Sequence, residues 1–137
     1  MTQEDKELLL TDLCARLPYG VIVSHPDFDE PQILDTIFNY EAYKDGLIQC
    51  ACDDIDEITD TKHPLIKCRP YLRPMDSMTI SETMEYTGIC VKYTGKPEIE
   101  GLVETLLEFY CSHHLDFRGL IPKDLAIEAP EGMYRLA

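Results

Sequence analysis

"QILDTIFNYEAYKDGLIQCAC", Gln32 to Cys52, decides the fold. Leu34, Thr36, Phe38 and Tyr40 alternate with Ile33, Asp35, Ile37 and Asn39, the period of two that a strand imposes on its side chains. "LIQCAC" reads as the returning strand, and the Asp45-Gly46 pair before it supplies the positive backbone angles that a tight hairpin demands. Upstream, "VIVS" after the turn "PYG" reads as another strand, with "DFDEP" as a polar loop. The result is a β-meander. On its returning strand Cys50 and Cys52 share a face with Ile48, which predicts a buried, reduced stripe.

Helical patterns frame the meander. Thr2 stands as N-cap with Glu4 and Asp5 in the first turn and Arg16 near the negative end, so a helix runs from about Gln3 to Leu17. Pro18 stops it. Leu9, Leu10, Leu13, Cys14 and Leu17 follow helical spacing and predict one core-facing stripe, with Cys14 as packing. Farther on, Thr79 and Glu82 form a capping box that starts a helix near Ile80. Gly88 is expected to end that helix, and "ICVKY" after it fits a strand or a continued helix. In the last helix Ile99, Leu102, Val103, Leu106, Leu107 and Tyr110 fall on one face. Three and four residues beyond Tyr110 come His113 and His114, which places them in the final turn, among free carbonyls. Gly119 suits the turn that follows, and Asp116 with Arg118 is expected to pair locally. The fold class is therefore α+β: an N-terminal helix, a curved antiparallel sheet of three to five strands, and two C-terminal helices packed on it.

The 137 residues suit a single domain, 1–137, and 45% hydrophobic residues suffice for one core. Twenty-six acidic against twelve basic residues give a net charge of -14, which repels phosphate backbones and favours basic protein partners. "MTQEDKELLLTDLCARLP" is acidic where a signal peptide is basic, and no run approaches a membrane span, so a cytoplasmic protein with no membrane partner is expected. Zinc sites draw on cysteine pairs two to four residues apart. Here Cys50 and Cys52 are separated by one residue and the other four cysteines are scattered, so neither metal nor cofactor is expected. The acidic run "DDIDEITD" fails as a calcium loop, because counting from Asp54 the sixth and twelfth places hold Thr59 and Leu65.

Two clusters stand out as candidate sites. Lys67, Arg69, Tyr71 and Arg73 share a parity in "KHPLIKCRPYLRPM" and, if extended, project from one face, leaving Ile66, Cys68 and Leu72 inward. Such a strip can hold phosphates, or it can pair with the neighbouring acidic run; Pro70 and Pro74 argue for an edge strand. The second cluster is His113, His114, Asp116 and Arg118, which supplies acid–base groups without an accompanying nucleophile motif.

"LCARLPYGV", "RPYLRPMDSMT", "HHLDFRGLI" and "LAIEAPEGMY" together resemble a family of short acidic proteins from gut anaerobes, their prophages and mobile elements. The resemblance carries over neither an activity nor a catalytic residue. It implies a phage-associated or host-accessory setting in the cytoplasm. The expected function is a non-enzymatic interaction protein of that origin. Its alternatives are nucleic-acid or nucleotide contact through residues 67–73 and a small enzyme using His113, His114 and Asp116.

Overall fold

Thr2 opens α1 (Gln3–Arg16) through a capping box with Asp5, and Pro18 converts the chain at Leu17–Tyr19 into a short 3-10 turn. The computed structural model describes residues 1–38, 46–50, 63–95 and 99–134. Next come β1 (Ile22–Ser24), β2 (Gln32–Phe38), β3 (Leu47–Cys50), β4 (His63–Pro64) and β5 (Arg69–Leu72). α2 (Ile80–Lys92), α3 (Ile99–Ser112) and β6 (Ile127–Glu128) complete the order.

The α+β class and the meander hold. β1, β2, β3 and β4 pair in sequence, each antiparallel to the next, and β5 returns to the free side of β1. The sheet exceeds the expected three to five antiparallel strands, because β6 adds a sixth, parallel to β5, giving the order β4-β3-β2-β1-β5-β6. Pro70 therefore sits on a strand flanked on both sides, not on the expected edge. Phe38 pairs with Leu47 and Gly46 has φ +80°, while Asp45 lies outside the described residues. Cys52 and the acidic run 53–60 also lie outside them.

The first half of the sheet is curled. With two strands between them at about 4.8 Å per step, β1 and β4 would lie about 14 Å apart in a flat sheet. Instead His25, one residue beyond β1, places Nε2 at 2.9 Å from the Pro64 carbonyl oxygen on β4. Inside the curl Val21, Val23, Leu34, Ile48, Cys50, Leu65, Cys68 and Leu72 pack with Leu9 and Leu13 of α1 and with Leu120 and Leu125.

Two helix readings need correction. On α1 the buried face is Leu9, Asp12, Leu13 and Arg16, and Cys14 is exposed. The helix is rotated because its polar pair has partners in the chain that follows α3. Gly88 does not end α2, which runs on to Lys92, so "ICVK" is helix. A lone glycine lowers helix propensity by about 1 kcal/mol, too little to stop a helix held by a capping box and by packing of Tyr86 against Phe109 and Tyr110. Among the described residues no helix is long and apolar enough to cross a membrane.

Candidate functional site

The segment after α3 is a helix end. His114 N–H donates to Cys111 O at 3.2 Å and Leu115 N–H to Tyr110 O at 2.9 Å, the paired bonds of a Schellman motif. The left-handed position of that motif usually falls to glycine, but here His114 takes it, at φ +59°. Gly119, at φ +74°, turns the chain only later. His114 is buried and stacked on Tyr134, with ring centroids 3.6 Å apart and 10° between planes. Burial, then the nearby Arg16 and Arg73 cations and His113, push its pKa down to about 4. Its Nδ1 is among the buried atoms without a partner.

The other members of this cluster go elsewhere. The ring nitrogens of His113 lie 2.8 and 3.2 Å from carboxylate oxygens of Glu82 and Glu85 on α2, where backbone carbonyls were expected. Asp116 does not pair with Arg118; its carboxylate accepts N–H bonds from Leu120 and Ile121 at 2.8 and 3.0 Å. Arg118 reaches Asp12 at 2.8 Å, and Asp12 also accepts from Arg16 Nε at 2.8 Å, with Asp12 and Arg16 both fully buried. Arg16 donates in addition to Leu115 O at 2.6 Å. His113, His114 and Asp116 thus serve three different structural connections rather than one pocket.

The basic strip also divides. Arg69 projects from β5, but its Nε donates to Asp124 O and its Nη1 to Ile66 O and Cys68 O. Its partners are carbonyls, not carboxylates. Arg73 is buried rather than projecting: two bonds of 2.7 Å join it to both oxygens of Glu82, and it donates further to His113 O and Ser77 O. This fork holds the Glu82 carboxyl down at about 2. The Tyr71 carbonyl oxygen accepts from the Tyr134 hydroxyl at 2.8 Å, and Lys67 alone of the three cations has an exposed side chain.

Sequence reasoning missed a second constellation. His25, buried at the end of β1, accepts the Asp27 N–H on Nδ1 at 3.1 Å, and Asp27 Oδ2 lies 3.5 Å from the same nitrogen. That oxygen is 2.9 Å from His63 Nδ1 on β4. One ligand atom from each of the three residues falls within 4.8 Å of the other two. Phe28 packs against His63, with ring centroids 4.4 Å apart. The available signal was a pair of His-Pro dipeptides, His25-Pro26 and His63-Pro64, because a residue before proline is held extended.

A third feature is apolar. Ile80, Met84 and Val91 follow one line along α2, turned away from α3, and are 83%, 70% and 65% exposed. Thr83, Thr87 and Gly88 line the same shallow groove with Met84 and Val91. Set beside known proteins, the chain matches no family model, no curated sequence and no solved structure.

Proposed function

We propose that this is a non-enzymatic interaction protein, in the cytoplasmic, phage- or mobile-element-associated setting that the sequence blocks imply, and that the outer face of α2 is its binding surface. The observation that carries the reading is the exposed line Ile80, Met84 and Val91. Scattered exposed apolar residues are ordinary, but Ile80, Met84 and Val91 lie in helical register on one helix face, the pattern of a surface that another molecule covers. The partner that fits is a basic amphipathic helix. Its apolar side seats on the groove, and its charge suits a chain of net charge -14. A second copy of the same chain carries the same charge and is disfavoured.

Nucleic-acid contact is the weaker reading, since Arg69 and Arg73 are occupied by internal bonds. Among the described residues His113, His114 and Asp116 each engage a different partner, which weakens the enzyme reading. The test uses a synthetic helix of leucine and lysine, labelled for anisotropy, with a leucine–glutamate helix as control. The double variant Met84→Ser, Val91→Ser keeps the net charge and should bind the basic helix at least about tenfold more weakly with melting unchanged, the loss expected for two buried side chains. Equal affinity in the variant overturns the proposal. A dimer of the wild-type protein that the same variant dissociates replaces it with self-association.

A further inference from the structure

The geometry points to a divalent transition-metal site formed by His25 Nδ1, Asp27 Oδ2 and His63 Nδ1, with zinc as the ion that the donor set fits. Around a tetrahedral zinc, bonds of about 2.1 Å place neighbouring ligand atoms about 3.4 Å apart. Here Asp27 Oδ2 stands 3.5 and 2.9 Å from the two histidine Nδ1 atoms, and one ligand atom from each of the three residues lies within 4.8 Å of the other two. Small side-chain rotations bring them to bonding distance of one ion.

The tautomer of His25 is already the required one. A carbonyl oxygen can only accept, so the 2.9 Å bond to Pro64 O places the ring proton on Nε2 and leaves the lone pair on Nδ1, facing Asp27. Metal-binding histidines are held in this way, by a carbonyl or carboxylate on the nitrogen opposite the metal. The competitor for that lone pair is the Asp27 N–H at 3.1 Å, a long neutral hydrogen bond. His25 is buried and the His63 side chain is 15% exposed, so the imidazoles sit on the protein side. The Asp27 side chain is 44% exposed, which leaves the fourth position open to solvent. Two imidazoles and one carboxylate select zinc and its first-row neighbours over magnesium and calcium, which prefer oxygen donors.

The placement also gives the ion a structural purpose. His25 and His63 come from opposite ends of the curled β1-β2-β3-β4 run, so one ion would fasten the curl shut. Among the described residues no cysteine belongs to this cluster.

Titration of the intact protein with zinc chloride should show one equivalent bound at micromolar affinity or tighter and a raised melting temperature. Cobalt should give visible d–d bands without the near-ultraviolet charge-transfer band of a thiolate ligand. Asp27→Asn and His63→Gln should each weaken zinc binding at least tenfold, while the metal-free protein still melts cooperatively with only the small loss expected from breaking the Asp27–His63 contact. Cys50→Ser and Cys14→Ser should leave binding unaltered. The proposal is overturned if zinc does not bind, if Asp27→Asn binds as tightly as wild type, if cobalt shows thiolate ligation, or if millimolar magnesium displaces zinc.

Discussion

His114 occupies a backbone conformation that favours glycine, set by the helix end, and a site that favours a neutral ring, set by its burial beside the Arg16 and Arg73 cations. The second has a consequence for acid stability. A histidine whose folded pKa is lowered, here to about 4 from 6.5, binds its proton more readily in the unfolded chain. The stability it contributes is complete above pH 6.5 and is lost as the pH falls toward 4, an effect on the order of 2 to 3 kcal/mol. Glu82, held at about 2, adds a second loss only below its ordinary value of 4.5. Melting at pH 7 and pH 5 therefore reads this loss apart from that of Glu82. His114→Asn, which keeps a residue tolerant of the left-handed region, should flatten the difference between the two pH values. An unchanged slope in that variant would show that His114 is not the titrating group. The sequence placed this residue at a helix end, which was right. That His113 would face carboxylates and His114 a tyrosine was not legible, because both partners come from segments that only folding brings near.

Element boundaries written in local chemistry were readable. Thr2 and the Thr79–Glu82 capping box start their helices where expected, since a cap is a contract among four consecutive residues. Which face an element buries was less readable. Asp12 and Arg16 are inside α1 because Arg118 and Leu115 O meet them there, while the apolar spacing pointed to a face that included Cys14. Gly88 carries the clearest test at this scale. It lies inside α2, and a Cβ there would meet nothing within 4 Å. Gly88→Ala should raise stability by about 0.5 to 1 kcal/mol, read as a higher urea midpoint at unchanged slope. Destabilisation would mean that the helix does not continue through this position.

For the molecule as a whole, the meander was legible from period-two alternation, but the closing of the sheet was not. β6 is two residues long and pairs with β5 from more than fifty positions away, so no local pattern announces it. The same holds for the curl that joins His25 to β4. At the β1–β5 seam, one step beyond the Val23–Pro70 pair, the Tyr134 hydroxyl accepts from Ile22 N–H and donates to Tyr71 O, both at 2.8 Å. A side chain stands where a backbone bond would otherwise close the ladder. Tyr134→Phe keeps the stack on His114 but strands two backbone groups, and should cost about 1 to 3 kcal/mol in chemical unfolding. A cost near zero would mean that the seam closes without it. Ile22 and Tyr134 are 112 positions apart, and protein synthesis runs in one direction. Both strands of the seam leave the ribosome before the residue that seals them is made. Until then the nascent chain carries backbone groups open to a neighbouring chain, so a ribosome stalled upstream of Tyr134 would release a product inclined to aggregate.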